Sequence, residues 1–293
     1  MLSGSMVALV TPMESDGAID YENLGKLIDF HVGAGTEALI IAGTTGESAT
    51  LDHDEHVRLI EHACQLAAGR VPIIAGTGSN STAQTLALSK TVDALPVAAF
   101  LLVTPYYNKP PQEGMYRHFC TIADAVRAPV ILYNVPGRTG VDLKPETVVR
   151  LSAHGNIVGI KEATAELERV QVLREGCGTD FSLLSGEDAT SCEFMLCGGN
   201  GVISVTANVV PAAMRRLCDA AVAGDRRTAE AIDQPLQALH AALFLESNPI
   251  PVKWAVQQMN MIGPAIRLPL TPLASQYHDR VREAMVAAGV NLG

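Results

Sequence analysis

Eight short runs rich in Val, Ile, Leu and Ala punctuate the chain, at residues 6–10, 38–42, 71–75, 98–103, 130–134, 157–161, 181–185 and 201–205. Most are apolar nearly throughout rather than alternating, the pattern of strands covered on both faces in a parallel sheet. Between them, apolar residues recur at three- and four-residue spacing and predict amphipathic helices over 21–32, 54–67, 81–92, 112–126, 144–151, 167–174, 189–196 and 211–223. Strand and helix thus alternate eight times, which predicts an α/β fold of one kind, a closed (β/α)8 TIM barrel. After the eighth unit the pattern is helical only, over 225–245, 250–259 and 272–288, with no Gly/Ser/Pro-rich linker before it. The expected organisation is a barrel over 1–224 and a C-terminal helical extension over 225–293 packed on it. A doubly wound open sheet is the rival topology. It usually carries a Gly-rich nucleotide loop after the first strand, and LVTPMESDG (9–17) has none.

Composition narrows the class. With 48% hydrophobic and 18% charged residues the chain is not of the disordered kind, and its 293 residues suffice for one large barrel or two ordinary domains. The 31 acidic residues against 21 basic ones, with no Lys/Arg run, argue against a nucleic-acid surface. No apolar run approaches the ~18 residues of a membrane span, and the N-terminus lacks the basic region of a signal peptide, so a cytoplasmic location is expected. Six cysteines without a CxxC pair read as reduced thiols. Cys192 and Cys197 lack the neighbouring ligands of a zinc site, and no metal is expected there. Aromatic residues are few: one Trp, six Tyr and six Phe. An aliphatic barrel does not need tyrosines as core bulk, so each Tyr asks for a role.

In a barrel the loops after the strands build the site. Here they are conspicuously polar: Gly43-Thr44-Thr45-Gly46-Glu47-Ser48, residues 76–80, residues 104–110, Tyr133 to Thr139, Lys161-Glu162 and Gly186-Glu187-Asp188. Lys161, one of six lysines, ends an apolar strand. Desolvation there disfavours the ammonium and would bring its pKa from about 10.4 toward about 7 to 8, leaving an amine that attacks a ketone to form a Schiff base. The structural alternative is a lysine reaching solvent or paired with Glu162. Tyr133 ends the neighbouring strand, where a phenol within reach of that amine would shuttle protons through carbinolamine formation and dehydration. Its alternative is a core tyrosine bonded to backbone. Thr44 and Thr45, flanked by glycines, offer hydroxyls and approachable N–H groups to a small carboxylate, or else simply cap a turn. Arg138, lifted by Pro136-Gly137, would fork onto a second carboxylate. Together an amine, a phenol, an anion loop and a guanidinium at one face suggest a carbonyl-condensing or aldol-cleaving site.

The strings GTTGESATL (43–51), TPYYNKP (104–110), YNVPGRT (133–139), GIKEA (159–163) and SNPIPVKWA (247–255), in this order, resemble the dihydrodipicolinate synthase (4-hydroxy-tetrahydrodipicolinate synthase) family over nearly the whole chain. The resemblance implies a lyase of lysine (diaminopimelate) biosynthesis in which Lys161 forms a Schiff base with pyruvate. The enamine then attacks the aldehyde of L-aspartate 4-semialdehyde. It implies Tyr133 as proton donor and acceptor, relayed by Thr44 to Tyr107, the latter supplied by the neighbouring subunit of a tight dimer. Two such dimers commonly form a homotetramer. Thr45 would hold the pyruvate carboxylate, the backbone at Gly186 and Ile203 would line the pocket, and Arg138 would take the carboxylate of the aldehyde. No metal or organic cofactor is implied.

The family often carries inhibition by L-lysine at the dimer interface. The matching positions are Ser48, Ala49, Leu51, His53, His56, Asn80, Gln84 and Tyr106. Gln84 stands where lysine-sensitive members usually present a glutamate, and losing a charge-assisted hydrogen bond costs on the order of 1–2 kcal/mol, so weakened inhibition is expected. A second departure, Thr91 to Val97, leaves the end of the third helix open. Two other functions stay in view. A sister Schiff-base aldolase, such as N-acetylneuraminate lyase or a 2-keto-3-deoxy-sugar-acid aldolase, would keep Lys161 and Tyr133. A non-catalytic barrel serving as a binding protein would lose the amine or the phenol.

Overall fold

Residues 2–292 are described by a computed structural model. The eight apolar runs become strands β1 (Gly4–Ala8), β2 (Ala38–Ile41), β3 (Ile73–Gly76), β4 (Ala99–Val103), β5 (Val130–Asn134), β6 (Ile157–Glu162), β7 (Ser182–Ser185) and β8 (Gly201–Ser204). Each pairs in parallel with the next, and β8 closes on β1. Two strands are shifted from their apolar runs for reasons in the backbone. Val10 leaves the β1 ladder because its N–H donates to the side chain of Asn208 (3.0 Å). Before β3, Pro72 has no N–H to give and contributes only its carbonyl, to Leu39 N (3.0 Å).

Alternation along the strands divides the core in two. Met6, Ala8, Ile40, Ile74, Leu101, Ile131, Leu184 and Ile203 fill the barrel interior, and Tyr133 is the one aromatic residue of that cluster. Their neighbours Val7, Leu39, Ile41, Phe100, Leu102, Leu132, Ile160, Leu183 and Val202 face outward against the helices. Aliphatic side chains interdigitate in such a narrow interior, which makes a phenol there a departure from bulk filling.

The helices are α1 (Tyr21–Ala34), α2 (His53–Ala67), α3 (Thr82–Val92), α4 (Gln112–Ala123), α5 (Pro136–Thr139), α6 (Pro145–Ser152), α7 (Glu168–Cys177), α8 (Ser191–Leu196), α9 (Pro211–Val222), α10 (Arg226–Asp233), α11 (Gln237–Ala242), α12 (Ile250–Gln258) and α13 (His278–Ala287). Helix α3 starts behind Ser81, whose side chain accepts from Gln84 N, and stops at Asp93. The Asp93 carboxylate accepts from Arg127 N (2.9 Å) and Ala128 N (3.0 Å), so the unusual 91–97 stretch fastens α3 to the approach of β5. The single helix expected over 225–245 is instead two, α10 and α11, separated by a 3-10 turn at Gln234–Leu236. Pro235 lies in that turn, and proline removes an amide donor from a helix interior. One-turn helix α5, with Pro136 in its first turn, adds an element that the apolar periodicity does not predict. Among the described residues no helix is long and apolar enough to cross a membrane, and the six cysteines are free thiols.

Candidate active site

Parallel pairing of β5 and β6 sets Tyr133 opposite Lys161 at the carboxyl ends of the strands. Both side chains are buried at the mouth of the barrel. The contact between them is face-on: Lys161 Nζ stands 4.4 Å from the centroid of the Tyr133 ring, a cation–π distance. Glu162 does not pair with the amine. One residue further along the strand, its carboxylate accepts from Asn134 Nδ2 (3.2 and 3.1 Å) and from Thr164 N (3.0 Å). Burial holds the Glu162 carboxyl above the usual range, and Asn134, Arg169 and Thr164 offset only part of that rise.

A cavity of about 220 Å³ opens above Lys161, and Thr44, Thr45, Tyr133, Arg138, Lys161 and Gly186 all line it. The threonine loop is anchored from below and behind. Thr11 Oγ1 donates to Gly46 O (2.8 Å), and the buried Thr45 hydroxyl accepts from Asn248 Nδ2 (3.0 Å). Glu47 adopts a left-handed φ of 60°, and its buried carboxylate pairs with Lys253 and accepts from Arg267 N (3.2 Å). Burial draws the Lys253 ammonium below its ordinary range, against the pull of Glu47. Arg138 stands on α5 with Nη2 donating to Asn248 O (3.2 Å). Gly186 passes close beside the lysine: a Cβ there would lie 2.9 Å from Lys161 Cε.

Two of the residues singled out from sequence lie elsewhere. Ile203 belongs to the barrel interior, paired with Met6, and does not line the cavity. Tyr107 also stands outside it, 89% exposed, with a positive φ of 72° and its N–H donating to Thr139 O (3.3 Å). Conversely, Asn248 and Phe244 line the cavity although no site role is expected of them from sequence, and Glu187, noted only within the polar loop after β7, lines it as well. Asn248 sits in a motif that was legible, but its partners are 110 and 203 residues away in the chain.

A second cavity, of about 600 Å³, adjoins the first, and Thr44, Val135 and Arg138 line both. Seven of the eight residues matched to an inhibitor site border it: Ser48, Ala49, Leu51, His53, His56, Gln84 and Tyr106. The eighth, Asn80, is not among its lining residues, and its carbonyl accepts from Asn108 Nδ2 (2.8 Å). His56 Nε2 donates to Gly76 O (2.7 Å), and burial holds the imidazole below its ordinary pKa. Among the described residues no group of three or more His, Cys, Asp or Glu is placed to hold a metal ion.

Comparison with known proteins agrees with this geometry. The family model described as the dihydrodipicolinate synthetase family matches residues 1–288. The 4-hydroxy-tetrahydrodipicolinate synthase of Methylococcus capsulatus is 58% identical over 290 residues, spanning 99% of this chain and 100% of that one. Among solved structures, the chloride-inhibited dihydrodipicolinate synthase of Acinetobacter baumannii complexed with pyruvate superposes with a TM-score of 0.98 at 49% identity, covering 99% of this chain and 100% of that chain. The enzyme of Cyanidioschyzon merolae with lysine bound gives 0.95 at 39% identity, covering 98% of each chain. A barrel with a lysine facing a tyrosine at its mouth and a full-length match to these relatives lead to one assignment: the chain belongs to the dihydrodipicolinate synthetase family.

Proposed function

We propose that this chain is a lyase that condenses pyruvate with L-aspartate 4-semialdehyde to 4-hydroxy-tetrahydrodipicolinate, in lysine (diaminopimelate) biosynthesis. The observation that carries the reading is the buried Lys161 amine against the Tyr133 ring, under a cavity that also presents Thr45 and Arg138. Its close similarity to the Methylococcus capsulatus synthase supports the same activity.

The steps follow from the chemistry of an amine. Unprotonated Lys161 Nζ adds to the keto carbon of pyruvate. The carbinolamine loses water, with Tyr133 supplying and recovering protons, and leaves an iminium. Loss of a methyl proton gives the enamine, whose carbon bonds to the aldehyde carbon of the second substrate as the aldehyde oxygen takes a proton. The amino group of that substrate then closes onto the iminium carbon and expels Lys161. One carbon–carbon and one carbon–nitrogen bond form, and one water leaves. Thr45 is assigned to the pyruvate carboxylate, with Gly186 contributing backbone, and Arg138 to the carboxylate of the semialdehyde. Thr44 links Tyr133 to Tyr107. The lysine itself is the electron sink, so no cofactor is assigned.

Tyr107 is exposed on its own protomer, which fits a side chain that enters a neighbouring subunit's site, and we assign a homotetramer built as a dimer of dimers. The second cavity is assigned to L-lysine as an inhibitor, weakened by Gln84. A cytoplasmic location and the division into a barrel over 1–224 and an extension over 225–293 complete the reading. A sister aldolase acting on a sugar acid would need a polyhydroxyl-binding pocket, whereas a cavity of about 220 Å³ with one arginine suits a short amino-acid aldehyde.

Borohydride reduction in the presence of pyruvate tests the reading. Wild-type protein is expected to gain one reduced adduct on the peptide carrying Lys161, and Lys161→Ala none, with turnover lost by at least about 10³-fold. Turnover of a sugar acid without turnover of the semialdehyde would instead favour the aldolase.

A further inference from the structure

One residue beyond Tyr133 and Lys161 on the same two strands, Asn134 and Glu162 are again register partners. Their side chains point to the outer side of the barrel, where the layer is otherwise largely aliphatic. A polar cluster is built there instead. Asn134 Nδ2 donates to both Glu162 oxygens (3.2 and 3.1 Å) and to Asp142 Oδ1 (2.9 Å). Asn134 Oδ1 accepts from Leu143 N (2.9 Å). From the first turn of α7, Arg169 forks onto Asp142 (2.9 and 2.7 Å) and approaches Glu162 Oε2 at 3.7 Å. Asn134 and Glu162 are buried and Arg169 is mostly so, its side chain 12% exposed.

This cluster joins three things that the chemistry needs in register. It spans the ends of β5 and β6, and a slip of one strand against the other would shift Tyr133 relative to Lys161. It also closes residues 135–141, the segment that carries Arg138, by tying Asn134 to Asp142 and Leu143. Apolar side chains at these positions would stabilise the outer layer at least as well, because a buried charge pair rarely outdoes well-packed hydrophobic residues of the same volume. What directional hydrogen bonds add is a fixed position.

We propose that Asn134, Asp142, Glu162 and Arg169 are positioning residues that set the approach of the Lys161 amine to Tyr133 and to the bound ketone. The inference rests on the Schiff-base reading above. It predicts that disturbing the cluster lowers kcat far more than it raises KM for pyruvate, since Thr45 still holds the carboxylate while the alignment of the Lys161 amine with Tyr133 loosens. A misplacement of about 1 Å is worth up to roughly 10²-fold in rate.

Glu162→Gln retains the shape of the side chain and removes its charge. Arg169→Met removes the guanidinium from the outer edge of the cluster without touching either strand, and it decides the matter if the first variant does not fold. For each, kcat, KM for pyruvate, the rate of borohydride trapping and the melting temperature are measured beside wild type. The expected result is a fall of about tenfold or more in kcat and in trapping rate, with KM for pyruvate within about threefold and a cooperative melt retained. A kcat within twofold of wild type, whether or not the melting temperature drops, would overturn the proposal and leave the cluster a stabiliser only. Failure of wild type itself to trap pyruvate would strike the Schiff-base reading instead.

Discussion

Lys161 and Tyr133 show how much a residue type at a strand end tells. A lysine closing an apolar strand and a phenol in an aliphatic barrel are each out of place by composition, and the structure puts them face to face. Sequence could not give the mode of contact. The ring face meets the Lys161 nitrogen because strand register, rather than residue spacing, fixes how the two side chains approach. Buried histidines make a second residue-scale expectation. Burial lowers His118 to about 4 and His31 to about 3, so both are neutral in the fold. Below about pH 6.5 the unfolded chain takes up protons that the folded chain refuses, and stability must fall as pH falls from there toward 4. His118 alone contributes a loss on the order of 3 kcal/mol across that window. Urea unfolding at pH 7.5 and at pH 5 checks the sign: a midpoint unchanged or higher at pH 5 would contradict it.

At the scale of elements, strands were legible because two-sided burial writes them as apolar runs, and most helices because one-sided burial writes a period. Short pieces were not. Helix α5 is four residues long, too short to show a period, and the interruption at Pro235 was hidden inside an otherwise helical pattern. Long-range anchors were beyond reach for a different reason: Glu47 and Lys253 are 206 residues apart, and no local pattern announces such a pair. Their contact locks the threonine loop to α12. Glu47→Gln leaves the Lys253 ammonium buried without its counter-charge, a change that costs about 3–5 kcal/mol in comparable buried pairs. Denaturant unfolding of that variant should show this loss. Glu47→Gln with Lys253→Met should recover a good part of it, and no recovery would mean that packing rather than charge holds the loop.

For the whole molecule, the chain alone leaves Tyr107 with 89% of its surface in solvent and in a left-handed backbone conformation. An exposed aromatic held in a strained backbone fits the role proposed for it at a neighbouring subunit's site. Tyr107→Phe keeps the contact area and removes the hydroxyl. On the proposed relay and assembly, turnover should fall about tenfold or more with the sedimentation profile unchanged, and wild-type turnover would remove Tyr107 from that relay. Charge at the second cavity makes a further expectation. If the cavity takes L-lysine as proposed, Gln84→Glu restores a carboxylate to face its ammonium and should strengthen inhibition by about tenfold, read as the concentration giving half-inhibition.

Thr44, Val135 and Arg138 form a wall common to both cavities. Whatever free energy an occupant of the larger chamber exerts through that wall on the smaller one must be returned in equal measure. If, as proposed, pyruvate fills the smaller chamber and L-lysine the larger, any change that one makes in the grip on the other is matched by the same factor in return. A substrate-rich cell and a substrate-starved one would then present two different sensitivities to one effector.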